Sequence, residues 1–452
     1  MPQPYDPQPY DVITMGRIGV DLYPLRTGVP LARVDAFGKF LGGSPANVAV
    51  GAARLGRRTA VITRTGQDAF GEYLHQALDE FGVDDRWVTP VAAYPTPVTF
   101  CEIFPPDDFP LYFYRQPRAP DLEIHEHELD MAAIRAAHVF WVTGTGLSAE
   151  PSRGATLAAL AHRGRAGFTV FDLDWRPVLW DAETEPDPGA VRPYYREALA
   201  GATVAVGNTD ECEIATGERD PDAAARALLD AGAELAVVKR GPEGVLAVHR
   251  DGTRTEVPPV PVEVVNGLGA GDAFGGALCH GLLSGWELER VMRYANIAGA
   301  IVASRLACSA AMPYADEVEQ VLEGGPIPPE AAPPPVPTSS PVFTPPSASM
   351  SPPLPLSSPT TGASQATGAS PEAVSGRRPA PLSAPPDASV RPDLSVPPPP
   401  AAAPPPPEPP DVPVLTPPPE PPDPPGPRGR PVPTDPPTPF HGPGRAGPGA
   451  LS

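Results

Sequence analysis

The residues best suited to chemistry are an aspartate and the small residues before it, in the stretch VVNGLGAGDAFGG at 264–276. Asp272 directly follows Gly269, Ala270 and Gly271. Small residues at a helix N-terminus let backbone amides approach an anion, and the helix dipole favours negative charge there. Asp272 would then take a proton from a hydroxyl group while the amides hold the phosphoryl group that this hydroxyl attacks. The structural alternative is that Asp272 caps the helix and the glycines form a loose turn.

A second pattern, GKFLGGSPANVAVGAARLG at 38–56, begins a predicted helix with a proline in its first turn. Gly42 and Gly43 precede this helix, and Asn47 lies in its first turn, where its amide can bind a polyol. The alternative is a tightly packed helix start without a ligand.

Two more patterns follow predicted strands. In GNTDECEIATG, Asn208 and Glu211 are three residues apart, which is also the spacing of an ordinary helix cap. In VVKRGPEGVLAV, Gly241 and Gly244 form a turn between two apolar runs, and a β-hairpin explains that pattern well.

The elements that position these motifs alternate between strands and helices through residues 10–324. Six apolar runs of strand length are DVITMG, TAVITRTG, HVFWVTG, GFTVFDLD, ATVAVGN and LAVVKRG. Segments with helical spacing, such as SPANVAVGAARLG and DAAARALLDAG, lie between them. This order predicts an α/β fold with a parallel sheet covered by helices on both faces. Ligands of such sheets bind beyond the C-terminal strand ends, so the polar residues closing each run are candidate site residues.

Two segments, 22–41 and 95–115, alternate with period two and contain turn residues. We predict antiparallel strands in both. Because neither fits a helix-covered sheet, we expect them to form a small β lid over the site. Such a lid would exclude water from phosphoryl transfer.

The composition changes sharply near Gly325, and 46 of the 72 prolines lie in residues 326–452. This segment has few large apolar side chains, so we expect a disordered tail with polyproline II stretches. We expect residues 1–9 to form a short flexible arm. The folded region is therefore predicted to span residues 10–325, which is enough for one large domain.

The net charge of −21 argues against a nucleic-acid-binding protein that works by neutralising phosphates. The four widely spaced cysteines form no C-x-x-C pair, which favours reduced thiols in a cytoplasmic protein. The N-terminus shows no secretory signal. The most apolar helical segment, 295–312, contains Arg305 and fits a buried helix better than a membrane span.

Taken together and in this order, the motifs GGSPANVA, N-x-x-E, K-R-G-x-x-G and GAGDAF resemble the ribokinase-like (PfkB) family of carbohydrate kinases. The resemblance covers residues 10–324. It implies a mostly parallel central sheet flanked by helices, with a small β lid, and transfer of a phosphoryl group from ATP with Mg²⁺.

The resemblance also implies roles for individual residues. Asp272 corresponds to the base, and the amides of the three preceding residues correspond to the anion hole. Glu211 corresponds to the residue that organises Mg²⁺ through water. The expected nucleotide contacts are Asn208, Lys239, Gly241, Gly244 and Asn296.

Several stretches, including MGRIGVDLYP and FDLDWRPVLW, are similar to the members of the family that phosphorylate 5-dehydro-2-deoxygluconate. A keto sugar acid needs a clamp for its carboxylate, and arginine provides a planar donor fork. Arg115 and Arg176 match arginines of related kinases, although either alone could form a structural ion pair. Tyr112 and Tyr114 on the lid, and Asp21 after the first strand, are the other expected sugar contacts.

The family loop usually begins Asp-Thr, whereas this chain has Asn266-Gly267. A monovalent-cation site that uses the aspartate is therefore in doubt. The alternative activities are 2-keto-3-deoxygluconate kinase and fructokinase, and a non-catalytic binding protein is a third reading. A homodimer is compatible with the sequence, and no partner of the proline-rich tail can be named.

Overall fold

The computed structural model describes residues 9–116, 118–180 and 187–330. The predicted arm and tail therefore lie almost entirely outside the described residues. The strands are β1 (Val12–Met15), β2 (Gly19–Pro24), β3 (Phe37–Gly42), β4 (Thr59–Gly66), β5 (Val83–Val91), β6 (Val98–Cys101), β7 (Leu111–Tyr114), β8 (Val139–Thr143), β9 (Phe168–Asp172), β10 (Val204–Asn208), β11 (Leu235–Lys239), β12 (Val245–His249) and β13 (Arg254–Val257).

The helices lie between these strands and after the last of them. They are α1 (Ser44–Arg54), α2 (Ala69–Glu80), α3 (Met131–Ala136), α4 (Ser152–Arg163), α5 (Pro188–Gly201), α6 (Thr209–Thr216), α7 (Pro221–Ala231), α8 (Ala270–Leu283), α9 (Leu288–Ala303) and α10 (Ala315–Leu322).

Nine strands form the main sheet, in the order β13-β12-β11-β10-β9-β8-β1-β4-β5. The strands from β11 to β5 pair in parallel, and β12 and β13 add antiparallel strands at one edge. One apolar core joins the sheet to α1, α2, α8, α9 and α10, and a second joins its other face to α3–α7. The predicted parallel sheet with helices on both faces is confirmed.

The lid is a separate four-stranded sheet in the order β3-β2-β6-β7. Its outer pairs are antiparallel, as predicted, but β2 and β6 in the middle are parallel. The antiparallel strands predicted within each of the two segments are therefore confirmed, and the parallel pairing of β2 with β6 joins the two hairpins. The two hairpins are far apart in sequence, and their mutual direction is not encoded in the period-two pattern of either one.

The folded region continues beyond the boundary predicted at residue 325. Ile327 packs against the first core, and the Glu330 carboxylate accepts a hydrogen bond from the Leu306 amide. Because proline dominates the composition from 326 onward, the sequence did not separate these anchored residues from the tail. No helix within the described residues is long and apolar enough to cross a membrane.

Candidate active site

The glycine-rich loop leads into α8, and Gly269 is the residue that caps this helix. Its φ of 83° lies in the left-handed region, and an added Cβ would come within 2.6 Å of the Cys308 Sγ. Glycine is therefore required here for both backbone conformation and space. The helix begins at Ala270, so its first free amides belong to the residues predicted to form the anion hole.

Asp272 is the third residue of α8 and does not cap it, because no side chain caps this helix. Instead, its Oδ2 accepts a hydrogen bond of 2.8 Å from the Asn47 side chain. Burial raises the pKa of Asp272, and hydrogen bonds from Asn47 and Ser44 oppose that rise. The structural alternative for the opening motif, a capping aspartate, is thus not what the fold uses.

Asn47 is held in the first turn of α1, where it is almost fully buried. A carboxylate only accepts hydrogen bonds, so the amide nitrogen must face Asp272 and the oxygen must point away. That oxygen, Oδ1, is buried and has no hydrogen-bond partner among the described residues. It is thus an acceptor available to a ligand hydroxyl.

Asp21 lies on β2 of the lid and approaches Gly42 on β3. An added Cβ on Gly42 would lie 2.2 Å from the Asp21 carboxylate, so only glycine fits beside it. Gly43 has a φ of 101° and closely approaches the backbone of Arg17. Burial raises the pKa of Asp21 to about 6, and the positive charge of Arg17 opposes this.

Lys239 and Asp172 end two strands of the main sheet on the face covered by α8. Val237 and Val170, two residues earlier on the same strands, belong to the core shared with α8, and side chains two apart on a strand share a face. The Lys239 Nζ lies 3.4 Å from where a Cβ on Gly271 would be, so its ammonium sits beneath the anion-hole loop.

The charged groups at these strand ends shift one another's pKa values. Burial would lower the pKa of Lys239, but the carboxylates of Asp172, Glu211 and Asp272 raise it above its usual value. Burial raises the pKa of Asp172 despite the nearby ammonium, and its Oδ1 has no hydrogen-bond partner within the described part of the chain.

Asn208 and Glu211 form a reciprocal capping box at the start of α6. The Glu211 amide donates to the Asn208 Oδ1 at 2.8 Å, and the Asn208 amide donates to the Glu211 Oε2 at 2.7 Å. The other carboxylate oxygen of Glu211 takes no part in this capping box. The described residues contain no group of three or more metal-binding side chains. Mg²⁺ commonly binds through one or two carboxylates together with phosphates and water, and a role of Glu211 in holding it stays a prediction.

The other predicted nucleotide contacts lie around the β11–β12 hairpin and α9. Gly241 and Gly244 have positive φ angles of 55° and 85° in the turn. Gly244 also lies against the backbone of Val257, which accounts for its lack of a side chain. The Asn296 amide donates to the carbonyl of Pro258 at 3.0 Å. The hairpin reading of the sequence is confirmed, and nucleotide contact by these residues stays a prediction.

Two arginines, Arg17 and Arg176, line the cavity that also contains Asp21, Asn47 and Asp272. Arg176 was expected at this position. Arg17 was not singled out, although it follows β1 and so satisfies the rule that polar residues closing a strand are site candidates.

The remaining lid residues are placed differently from the sequence expectation. Arg115 donates to both carboxylate oxygens of Asp121, at 2.9 and 2.8 Å, and does not line the cavity. Tyr112 and Tyr114 are exposed, whereas Leu111 and Phe113, of opposite parity on β7, line the cavity. This arrangement does not support the substrate contacts predicted for Arg115 and the two tyrosines.

Asn266 is fully buried and its side chain is satisfied within the protein. Its amide donates to the Leu306 carbonyl at 2.7 Å, and its oxygen accepts from the Leu268 amide at 3.0 Å. The residue that replaces the family's aspartate thus ties the loop to the segment after α9. A monovalent cation is not needed to satisfy this side chain.

Comparison with known proteins places this geometry among similar sequences and folds. A model of the pfkB family of carbohydrate kinases matches residues 10–315. The 5-dehydro-2-deoxygluconokinase of Geobacillus thermodenitrificans is 34% identical over 327 residues, which are 71% of this chain and 95% of the relative. The protein of the same name from Photobacterium profundum is 35% identical over 323 residues, 70% of this chain and 96% of the relative.

A solved structure shows the same fold. The putative ribokinase II of E. coli, in complex with ATP and Mg²⁺, aligns with a TM-score of 0.63 and 24% identity. The alignment covers 70% of this chain and 99% of that chain. The described residues therefore have a ribokinase-like α/β fold.

Proposed function

We propose that this chain, which belongs to the pfkB family of carbohydrate kinases, transfers a phosphoryl group from ATP to the 6-hydroxyl of 5-dehydro-2-deoxy-D-gluconate. The names of relatives at 34% and 35% identity support this substrate. The observation that carries the proposal is the pairing of Asp272 with Asn47 in a cavity lined by Arg176. The cavity thus contains a base, Asp272, and a guanidinium group suited to a substrate carboxylate, that of Arg176.

The reaction begins with the substrate hydroxyl beside the Asp272 carboxylate, whose Oδ2 accepts a hydrogen bond from Asn47. The hydroxyl oxygen forms a bond to the γ-phosphorus, the bond from this phosphorus to the bridging oxygen breaks, and ADP leaves with the electron pair. The hydroxyl proton passes to Asp272. Because burial raises the pKa of this carboxyl, it accepts a proton more readily than an exposed aspartate does.

The anion hole stabilises the charge that develops on the transferred phosphoryl group. The amides of Gly269, Ala270 and Gly271 lie at the N-terminus of α8, where the helix dipole also favours an anion. The Lys239 ammonium beneath Gly271 adds a full positive charge, and its raised pKa keeps it protonated. Mg²⁺, held near Glu211 through water, would neutralise charge between the phosphates.

The cysteines support a cellular location for the protein. All four cysteines are free and buried, which favours a reducing compartment, and we place the protein in the cytoplasm. Its partners are the sugar acid and ATP. We propose neither nucleic-acid nor membrane binding. A homodimer interface would be sought on the outer face of the lid, where Tyr112 and Tyr114 are exposed.

The test is a coupled assay of ATP consumption with purified protein and a panel of acceptors. The panel contains 5-dehydro-2-deoxy-D-gluconate, 2-keto-3-deoxy-D-gluconate and D-fructose. We expect the first to have the highest kcat/KM. A preference for either other acceptor would contradict the proposed substrate but not the kinase activity.

A further inference from the structure

Three charged side chains beside the cavity form one group. The Asp174 carboxylate lies between two guanidinium groups, with Oδ2 at 3.6 Å from Arg17 and Oδ1 at 3.5 Å from Arg176. Asp174 is 3% exposed, and the Thr145 hydroxyl also donates to it at 3.0 Å. A single fixed carboxylate thus sets the positions of both arginines.

Each of the two guanidinium groups has a buried donor without a partner in the part of the chain that the structure describes. The Nε atoms of Arg17 and Arg176 are buried and have no hydrogen-bond partner within the described ranges. Both contacts with Asp174 are longer than an ordinary charge-assisted hydrogen bond of about 2.8 Å. Both Nε groups line or border the cavity and are therefore available to an acceptor that enters it.

A cavity that contains Asp21 and Asp272 also needs positive charge in order to bind an acidic substrate. Asp21 and Asp272 line the same cavity and would repel the carboxylate of an acidic substrate. Arg17 faces both of these acids and lowers the pKa of each. A substrate carboxylate bound to the free Nε groups of Arg17 and Arg176 would meet two cations, whose charge the single carboxylate of Asp174 only half neutralises.

Arg115 does not line the cavity, and its Nη2 donates to both carboxylate oxygens of Asp121. We propose that Arg17, together with Arg176, binds the carboxylate of the sugar acid, and that Asp174 positions the two guanidinium groups. This inference rests on the proposed function and replaces Arg115 by Arg17 as the second arm of the clamp. It makes Arg17 a determinant of specificity for acids over neutral sugars.

The experiment compares Arg17→Gln with the unaltered protein on two acceptors, 5-dehydro-2-deoxy-D-gluconate and its carboxamide, which has the same shape without the charge. Hydrogen bonds to charged groups make large contributions, so kcat/KM for the acid should fall roughly 10- to 100-fold. The value for the carboxamide should change less than about threefold, by the same reasoning, since no ionic pair is lost. KM for ATP should stay the same.

Two further variants are measured together with Arg17→Gln. Arg17→Lys keeps the charge without the planar fork and should recover part of the acid activity. It also serves as the test if the glutamine variant does not fold. Arg290→Gln removes an exposed arginine on α9, paired with Glu319 and outside the cavity, and should leave both acceptors unchanged.

Equal losses of kcat/KM for the acid and the carboxamide in Arg17→Gln would overturn the inference. They would mean that Arg17 acts by neutralising Asp21 and Asp272 and not by binding the substrate carboxylate. A selective loss of acid activity in Arg115→Gln but not in Arg17→Gln would also overturn it. Failure of the unaltered protein to phosphorylate the acid would overturn the proposed function itself, and would be seen before any variant is made.

Discussion

At the scale of single residues, Asp272 is where the chemical and structural readings of the glycine-rich motif make different predictions. Asp272→Asn is nearly isosteric, and the asparagine can still contact Asn47, so the protein should fold and bind ATP. It cannot accept the hydroxyl proton. Because a positioned general base contributes about 10²–10⁴ in rate, kcat should fall at least about a hundredfold with little change in KM for ATP.

The measurement is steady-state kinetics on protein whose fold is checked by circular dichroism and thermal unfolding. Turnover within tenfold of the unaltered protein would mean that Asp272 is not the base. Ser44 provides a matched control, because it lines the same cavity and lowers the pKa of Asp272 but cannot act as the base. Ser44→Ala should lower kcat far less than Asp272→Asn.

The pH dependence of kcat should also report on this carboxyl group. Asp272 must be deprotonated to act, and burial raises its pKa, so activity should be lost on the acid side above the ordinary aspartate pKa of about 3.9. The Asn47 hydrogen bond favours the charged form and lowers that pKa. Removing it in Asn47→Ala should therefore move the acidic limb of the profile to higher pH.

The profile is measured as kcat at saturating substrates between pH 4.5 and 9. An acidic limb that stays in place or moves to lower pH in Asn47→Ala would contradict the assignment of Asp272 as the titrating base. The pairing itself was beyond sequence analysis. Asn47 and Asp272 are 225 residues apart, and no spacing rule links the first turns of two separate helices.

At the scale of elements, the sequence predicted the buried strands well and the edge strand poorly. Strands covered on both faces need continuous apolar runs, and β1, β4 and β8–β11 all have them. β5 contains Asp84, Asp85 and Arg86 and lies at the sheet edge, so its composition does not resemble a buried strand. Only its pairing with β4 defines it.

The lid shows a different limit. In β7 the residues Leu111 to Tyr114 are all apolar or aromatic, so period two separates two faces without showing which one meets the cavity. The tyrosines have hydroxyl groups that suit a sugar, yet the fold places Leu111 and Phe113 inward. The direction of a lid strand depends on its partner sheet, which the local sequence does not contain.

The loop before α8 can be tested with a pair of glycines. Gly269 and Gly56 have nearly equal φ angles of 83° and 82°, so alanine strains the backbone alike at both positions. An added Cβ at Gly56 meets nothing within 4 Å, whereas at Gly269 it collides with Cys308. We therefore expect Gly269→Ala to displace the anion-hole amides and Gly56→Ala to leave them in place.

Loss of one anion-hole donor typically costs about 10²–10³ in kcat, so partial displacement in Gly269→Ala should lower kcat at least about tenfold. Gly56→Ala should lose thermal stability but keep kcat within about twofold, by the same comparison. Kinetics and melting temperature are measured on both variants. Equal kcat values would show that the loop adapts and that its exact geometry does not set the rate.

At the scale of the whole molecule, the charges are distributed so that an acidic protein can bind acidic ligands. The net charge is −21, yet Arg17, Arg176 and Lys239 are concentrated at the C-terminal strand ends. Because salt screens charges beyond about 8–10 Å, a small anion responds mainly to the groups nearest to it, and at this site three cations lie among several carboxylates.

The proline-rich segment gives the last prediction. All site residues lie before residue 310, and residues 326–330 anchor to the fold through Ile327, the Pro328 carbonyl on Arg305, and Glu330 on Leu306. A chain ended after Glu330 should keep kcat/KM within about twofold and the same melting temperature, because segments that form no core contribute little to either.

A chain ended after Gly325 should be less stable. Loss of a half-buried apolar side chain costs about 1 kcal/mol, which corresponds to roughly 1–2 °C for a folded region that spans residues 10–330. Because the Leu306 carbonyl also binds Asn266 in the catalytic loop, the shorter chain should lose activity at lower temperature than the longer one. Thermal unfolding and activity after heating are measured on both. A large loss of kcat/KM in the folded longer chain would show that residues beyond 330 take part in catalysis.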